Sequence, residues 1–473
     1  MITLNRDAPE ALYQQLFNYF KEQILSGAMK AGRRLPASRA LANELDISRT
    51  SVVNAYEALE SAGLIVSRKR RGLFVVDKLP TLYAEWMLSD GDFMPSASSK
   101  VPTNQQYPSL ISLSVGSLPV DFMPVEAMRR AINSVLDRDA GAALGYEPTE
   151  GYKPLRAAIA DQLHSRGMNV KAEEVLVTGG CQQAIDLAVQ SLVPPNGILL
   201  TTDPTYIGLI DIARTRNLEL ITIPWSDQGI DLNSLEDIIR ERHPHLFYLM
   251  TTFLNPTGAV LSMQQRRQLL AIASTFNMPI LEDGVYDGFD YEDAGLPSLR
   301  ALDETGIVLY ASGFSKTVVP GTRIGYLVSS APLTSRITRV KQAADVCTPG
   351  LNQRAMTELL RSGQVNAHLE AVRHACKYRR DALLIAMKRY ASGQWTWTTP
   401  MGGLYVWVEI PPTGPNAVQL LEKATKMGVD FAIGASFSPN ASWAYHLRLN
   451  FTSYPPAVLE EGIHRLWSAW LAC

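Results

Sequence analysis

Apolar residues return at helical spacing near the start of the chain. Leu12, Leu16, Phe20 and Ile24 form one stripe between Pro9 and about Ser26, the pattern of an amphipathic helix. Gly27 ends it, and Pro36 with Ser38 opens a short second helix to Leu45, packed through Leu41 and Leu45. Asp46-Ile47-Ser48 reads as a tight turn. Ser48 can then cap a third helix through Ala62, with Val52, Tyr56 and Leu59 facing inward. Two β-rich runs, Leu64–Ser67 and Leu73–Val76, flank Arg68-Lys69-Arg70-Arg71-Gly72, which predicts a hairpin with a basic tip.

From Asp77 to about Pro108 the periodicity dissolves into Pro, Ser, Asn and Gln, as in an interdomain linker. Beyond it, β-rich runs alternate with amphipathic helices: Val175–Val177, Ile198–Thr201, Leu220–Ile223, Leu246–Met250, Pro279–Leu281, Ile307–Tyr310 and Ile324–Val328. That alternation predicts an α/β domain with a largely parallel sheet. The expected organisation is a head at 1–78, a linker at 79–107 and a body at 108–473. Within the body, a large subdomain covers about 145–345, and both ends contribute a small one.

Composition adds little until charge is divided along the chain. A length of 473 residues implies more than one domain. No run approaches the roughly 18 apolar residues of a membrane span, and the N-terminus carries no signal pattern. Cys181, Cys347, Cys376 and Cys473 are scattered without metal-ligand spacing, so no metal and a cytoplasmic location are expected. Residues 1–78 carry twelve Lys+Arg against eight Asp+Glu, a net of +4, leaving −6 for the remainder. A basic head on an acidic body implies that the head alone meets a polyanion.

Two short helices, a tight turn and a hairpin are the parts of a winged helix-turn-helix. The third helix would be the reader, presenting Arg49, Thr50, Ser51 and Asn54 from its first turns, just after Ser48. Arg pairs bidentately with guanine and Asn with adenine. Arg34, Ser38 and Arg39 at the start of the preceding helix suit phosphates. Arg68, Lys69, Arg70 and Arg71, with Gly72, would reach the backbone or minor groove from the hairpin. A four-residue basic run alone is more often a solvated turn. Here it follows Leu35-Pro36-Ala37-Ser38-Arg39-Ala40-Leu41-Ala42, Ser48-Arg49-Thr50-Ser51-Val52, Ala55-Tyr56-Glu57-Ala58-Leu59 and Gly63-Leu64-Ile65. With those strings the head closely resembles the GntR family, which implies binding to double-stranded operator DNA.

In the body, Lys316 stands in Ser312-Gly313-Phe314-Ser315-Lys316-Thr317, just past an apolar strand. A lysine buried at a strand's end is costly unless it has a role. Val177-Thr178-Gly179-Gly180-Cys181-Gln182-Gln183 joins a strand to a helix, a junction whose backbone amides can hold phosphate. Further signals are Asn255-Pro256-Thr257-Gly258, Asp203-Pro204-Thr205-Tyr206, Leu281-Glu282-Asp283-Gly284-Val285-Tyr286 and Pro320-Gly321-Thr322-Arg323. Each is weak alone, but their order resembles that of the fold-type I aminotransferases across about residues 110–470.

The resemblance implies pyridoxal 5'-phosphate (PLP) held as an aldimine on Lys316, with Asp283 at the pyridine nitrogen. It assigns Tyr286 and Asn255 to the ring hydroxyl, and Tyr206 to stacking on the ring. Arg323 with Gly180, Cys181 and Gln182 falls at the phosphate. Tyr146 matches a tyrosine supplied by the partner subunit, hence a homodimer. One departure is Gly313, where the family commonly has a hydroxyl; Ser312 or Ser315 would make up the contact. Arg448 matches the arginine that clamps an α-carboxylate, against a bland reading as a rim salt bridge. Gly116 matches a backbone contact at the pocket mouth, and Ile207-Gly208-Leu209-Ile210 offers no second cation for a dicarboxylate. The strip from Pro400 to Pro411 is expected to be a core strand of the small subdomain.

The fusion resembles the MocR subgroup of GntR-type regulators over nearly the whole chain. The fold class expected is therefore α/β, a fold-type I PLP-dependent aminotransferase-like domain preceded by an N-terminal winged helix-turn-helix. The subgroup implies a transcription factor that responds to PLP or to a small amino compound as a head-to-tail homodimer.

 The runner-up is a working aminotransferase with a DNA-binding appendage, since every catalytic residue of the resemblance is present. A PLP decarboxylase or other α-elimination enzyme has less support, because Arg448 suits transaminase-type carboxylate binding.

Overall fold

The computed structural model describes residues 4, 11–25, 28–61, 63–68, 72–76, 110–116, 120–226, 228–292 and 295–473. The stretch expected as a linker, 79–107, lies outside the described residues, as do Lys69, Arg70 and Arg71. The chain divides into two compact units between Met94 and Pro95.

The first unit is built from α1 (Leu12–Leu25), α2 (Ser38–Glu44), α3 (Arg49–Ser61) and the strands β1 (Ile65–Arg68) and β2 (Gly72–Val75). The helical stripe read from the sequence is its core, with Leu16, Phe20, Ile24, Leu41, Val52 and Leu59 buried together. Tyr56 is also buried, and its hydroxyl donates to the Pro36 carbonyl at 3.0 Å. This bond ties α3 to the segment that leads into α2. Ser48 accepts the Ser51 N–H at 3.0 Å and so satisfies one of the orphan amides at the start of α3. The two strands pair antiparallel, with Ile65 opposite Val75.

The second unit opens with β3 (Ile111–Ser112). Its helices α4 (Val125–Asp139) and α5 (Lys153–His164) precede the main sheet, and α6 (Cys181–Leu192) follows the first strand of that sheet. The strands are β4 (Val175–Thr178), β5 (Ile198–Asp203), β6 (Glu219–Ser226), β7 (Gly229–Ile230), β8 (Leu246–Leu249), β9 (Ile280–Asp283), β10 (Val308–Gly313) and β11 (Gly325–Val328). In space they run β4-β11-β10-β9-β8-β5-β6-β7, a seven-stranded mixed sheet extended by the two-residue β7. Strands β6, β5, β8, β9 and β10 are mutually parallel, whereas β11 runs antiparallel to both β10 and β4. Strands β4 and β8 to β11 are buried along their whole length, which explains why their sequences are runs rather than alternations.

A smaller sheet contains β12 (Thr396–Trp397), β13 (Tyr405–Glu409), β15 (Ala432–Ile433) and β16 (His446–Asn450), in the order β12-β13-β16-β15. Beside it, β14 (Val429–Asp430) pairs in parallel with β3. Segments from before and after the main sheet thus meet in one small layer.

Glycine decides one close approach. A Cβ on Gly325 would stand 2.3 Å from the Gly180 carbonyl carbon and 2.6 Å from the Cys181 nitrogen, and one on Gly313 would meet the Gly325 Cα at 3.1 Å. The start of α6 therefore rests directly on the backbone of β10 and β11. Gly325→Ala should cost about 1–3 kcal/mol through overpacking, whereas Gly321→Ala, with nothing within 4 Å, should stay near neutral. Urea unfolding of the two variants measures the contrast.

Candidate cofactor site and nucleic-acid surface

The site gathers at the carboxyl ends of the parallel strands, where open α/β sheets place their ligands. Strand β4 delivers Gly179 and Gly180 to the start of α6, and β5 leads into Tyr206. Strand β8 leads toward Asn255, β9 ends on Asp283 just before Tyr286, and β10 leads into Ser315 and Lys316.

An anion site forms first. Gly180, at φ +104°, turns the chain into α6 with no side-chain cap, so the amides of the first turn, including those of Cys181 and Gln182, point outward as donors. Arg323 adds a charge across this helix start. Its Nη2 donates to the Gly179 carbonyl at 3.1 Å, and its Nη1 lies 3.4 Å from the Ser315 hydroxyl. Arg323 itself adopts φ +52°, a left-handed backbone that costs about 1–3 kcal/mol in a non-glycine residue. Of the two serines considered for the phosphate, Ser315 is the one beside Arg323. The Ser312 hydroxyl is buried and donates to the Gly284 carbonyl at 3.0 Å. The space at Gly313 is closed by the Ile324 carbonyl at 3.1 Å and the Cys181 nitrogen at 3.5 Å, which accounts for the absent hydroxyl there.

Asp283 is the buried centre. One carboxylate oxygen accepts from the Tyr248 hydroxyl at 2.7 Å; the other accepts from the Val285 N–H at 3.1 Å and the Cys181 thiol at 3.5 Å. Burial raises its pKa to about 6, against the opposing pull of those donors. Burial likewise pushes the Cys181 thiol and the Tyr248 hydroxyl up. Behind Asp283, the fully buried Arg266 holds the Thr251 carbonyl at 2.8 Å, the Thr252 hydroxyl at 2.9 Å and the Pro297 carbonyl at 2.9 Å. These bonds fix the segment that carries Asn255.

A cavity of about 370 Å³ opens in front of these groups, lined by Lys316, Tyr206, Asn255, Tyr286, Tyr405 and Arg448 among others. The Lys316 ammonium donates to the Gly116 carbonyl, so Gly116 is drawn into the site as well as marking its mouth. Arg448 is buried, with its Nη1 donating to Asn255 Oδ1 at 2.9 Å and its Nη2 to the Ser114 carbonyl. With its oxygen taken, the Asn255 amide is left to donate with its nitrogen. The Arg448 guanidinium lies 3.9 Å from the Tyr405 ring centroid and 4.7 Å from that of Phe437, which fixes its plane. A rim salt bridge does not describe it.

Three participants escaped the sequence reading. Tyr405 belongs to the strip expected as core, and it is core, being buried in β13. Its hydroxyl nevertheless reaches Gly116 so closely that a Cβ there would stand 1.9 Å away. Burial raises the Tyr405 pKa, but Arg448, Lys316 and the neighbouring Tyr286 outweigh it and the net shift is downward. Tyr248 sits in an unbroken apolar run and Phe437 before an irregular segment, so no periodicity marks either.

Tyr146 is 92% exposed. Its neighbour Glu147 is held by Arg354 at 2.7 Å, and Arg354 also binds Asp139 at 2.7 Å and lies over the Tyr152 ring. The loop is fixed while its tyrosine is presented to solvent.

In the head, Arg49, Thr50 and Asn54 are exposed along one side of α3, while the Ser51 hydroxyl lies 2.9 Å from that of Ser48. Ser38 opens α2 with Arg39 beside it. Arg34 stands farther from α2 than the sequence suggested. It bridges to Phe74, and its side chain lies over Gly72, whose φ is +106°. The guanidinium thus belongs to the turn end of the hairpin. Arg68 ends β1 at the same end of the hairpin, opposite Gly72.

The donor set fits a phosphorylated pyridine aldehyde: an anion cradle at α6, a buried carboxylate, two donors at Asn255 and Tyr286, and an amine at Lys316. The buried carboxylate also makes a pH-dependent prediction for cofactor-free protein. A pKa raised from 3.8 to about 6 favours folding below pH 3.8, and that benefit is lost as pH rises through 6. Asp283→Asn should therefore become progressively more stable than the parent between pH 4 and 7, by up to about 3 kcal/mol. Thermal unfolding across that pH range gives the difference.

The family model for aminotransferase class I and II matches residues 108–466, and that for bacterial regulatory proteins of the gntR family matches residues 12–75. The uncharacterised HTH-type transcriptional regulator YisV of Bacillus subtilis is 33% identical over 413 residues, covering 85% of each chain. The 2-aminoadipate transaminase of Thermus thermophilus is 34% identical over 367 residues, 77% of this chain and 91% of that one. A solved structure of the α-aminoadipate aminotransferase LysN from Thermus thermophilus, bound to N-(5'-phosphopyridoxyl)-L-leucine, superposes with a TM-score of 0.74 at 31% identity. It covers 82% of this chain and 98% of its own. With a GntR helix-turn-helix joined to a class I and II aminotransferase domain, and with HTH-type regulators matching along both, the chain belongs to the MocR type of GntR-family transcriptional regulators.

Proposed function

We propose that the aminotransferase-like domain binds PLP through Lys316 and senses PLP or a small amino compound, altering how the GntR head engages operator DNA. The observation that carries this reading is the placement of Lys316 and Arg448 on one cavity, with the buried Asp283 close to its lining residue Tyr206, in a chain that also carries a DNA-binding module. PLP, when bound, supplies an electrophilic carbon and an electron-withdrawing ring. The chain's residues do the rest. The start of α6 and Arg323 bind the phosphate, with Ser315 beside them. Asp283 holds a proton on the ring nitrogen, and Asn255 and Tyr286 orient the ring hydroxyl. Tyr206 covers one face of the ring. Arg448, its plane set by Tyr405 and Phe437, is preorganised to grip the carboxylate of an incoming amino compound.

The exposed, rigidly held Tyr146 supports a homodimer in which it completes the phosphate site of the partner subunit. A head-to-tail arrangement suits the expected linker of 79–107, long enough for one head to rest on the other body. A ligand that binds two head arrangements unequally changes DNA affinity by the same ratio, and DNA changes ligand affinity reciprocally.

A second reading, a working aminotransferase, is favoured by the completeness of the site and by the 34% identity to a transaminase. Decay of the visible band upon a single addition of amino acid separates the two: full conversion in a half-reaction supports turnover, a stable spectrum supports sensing.

Purified protein should be yellow, and Lys316→Ala should lose the borohydride-reducible adduct; a retained adduct would remove Lys316 from its role. DNA titrations and footprints of cofactor-free, PLP-loaded and borohydride-reduced protein should differ by about 5- to 150-fold in affinity, or in footprint. Identical curves and footprints would refute the sensor. For the head, Arg49→Ala should cost about 1–3 kcal/mol on the operator and relax base preference, while Arg39→Ala should weaken operator and random DNA alike and flatten the salt dependence. Equal losses on both DNAs for Arg49→Ala would reduce it to a phosphate contact.

A further inference from the structure

The cavity in front of Lys316 carries more charge than the assigned groups use. Its basic lining residues are Lys316 and Arg448, and its acidic one is Asp430. Asp430 is 3% exposed and ends β14, where it pairs with Ser112 of β3. Ser112 and Ser114 donate toward the carboxyl, but its Oδ1 is buried without a hydrogen-bond partner. Leaving a carboxylate oxygen buried and unmatched is costly, and nothing in the handling of the cofactor requires it.

Register places Asp430 relative to the carboxylate clamp. Ala432 pairs with Arg448, and Asp430 lies two residues before it. Two residues of extended chain span about 6.6 Å, the reach of a short side chain. Ser114, whose carbonyl holds Arg448, also flanks the Asp430 carboxyl. The clamp and the acid are therefore two ends of one surface. Between them the wall is largely apolar, with Leu421, Phe431, Ala432 and Ile433. Burial raises the Asp430 pKa over the opposing effect of Ser112 and Ser114, so a cationic partner would have much to contribute there.

We infer that this pocket selects an amino acid that carries a second amine or other cationic donor on its side chain, with its α-carboxylate on Arg448 and the distal cation on Asp430. The inference rests on the reading of Lys316 as the cofactor lysine and extends it to a ligand class. With Lys316 committed to the cofactor and Arg448 to the α-carboxylate, Asp430 is the remaining charge among the described lining residues. A ligand with a second carboxylate meets an acid where it would need a base. A neutral side chain of equal length fills the apolar wall but leaves Oδ1 unmatched.

The test uses PLP-loaded full-length protein and three probes of matched length: L-lysine, L-norleucine and L-2-aminoadipate. Each is titrated while the visible absorbance band is followed. L-Lysine should bind about 10- to 150-fold more tightly than L-norleucine, the range for a hydrogen bond to a charged group, and L-2-aminoadipate should bind most weakly. Asp430→Asn should bring lysine down toward norleucine while norleucine keeps its affinity. Equal affinities for lysine and norleucine in the parent protein overturn the inference, and that comparison needs no variant. So does an Asp430→Asn protein that loses all three probes alike, which would make Asp430 a structural support of β3 and β14. Tightest binding of 2-aminoadipate overturns it as well. A protein with no visible band overturns the cofactor reading and this inference with it, whereas a band that answers to none of the probes overturns this inference alone.

Discussion

A carboxylate buried at the carboxyl end of β9, with only neutral donors around it, is the constraint from which the rest of the site follows. Asp283 receives a tyrosine hydroxyl, a backbone amide and a thiol, and burial still raises its pKa to about 6. Neutral donors do not fully replace water for an anion. In the proposed reading, a protonated ring nitrogen would supply the missing positive charge. The neighbouring parts follow the same logic. Tyr248 must be buried to reach Asp283, and Cys181 must open α6 at the same point.

The anion cradle depends on backbone rather than on side chains. Gly180, Gly313 and Gly325 let the start of α6 rest on two strands, so its free amides and the phosphate they would hold stand at a fixed distance from Lys316. Arg323 then pays for its left-handed backbone by reaching the same helix start. Because these groups lie on the ends of parallel strands in one sheet, a shift in any strand moves several of them together. Such coupling would suit the proposed role of a domain that reports occupancy as well as binding.

Charge is distributed to match two different guests. The exposed donors of the head, on α3 and beside Gly72 at the turn end of the hairpin, face solvent in the way a polyanion requires. In the body's cavity the two cationic lining residues are each oriented by a specific neighbour: Lys316 by Gly116, Arg448 by Asn255, Ser114 and two aromatic rings. A solvated surface recognises a repeating anion with modest geometric demand, whereas a buried guanidinium with a fixed plane recognises one small carboxylate.

The sequence by itself determined the elements and their order. Helical stripes such as Leu16, Phe20 and Ile24 mark the head, and apolar runs ended by turn residues mark the sheet. Local strings around Lys316, Asp283, Asn255 and Arg323 were legible because a tight turn or a close backbone approach demands particular residues in succession. Which of Ser312 and Ser315 faces Arg323 was not legible, since Ser312 lies within β10 and Ser315 just past its end, and only the packing there fixes where each hydroxyl goes. Tyr405, Tyr248 and Asp430 were not legible either. Each sits in a segment whose neighbours are buried for ordinary reasons, and a side chain's role there depends on what a distant part of the chain places opposite it. Tyr405 meets Gly116 and Arg448, Tyr248 meets Asp283, and Asp430 meets β3, all across separations that hydrophobic periodicity does not encode. Periodicity records which face of an element is buried; only tertiary packing decides what that face touches.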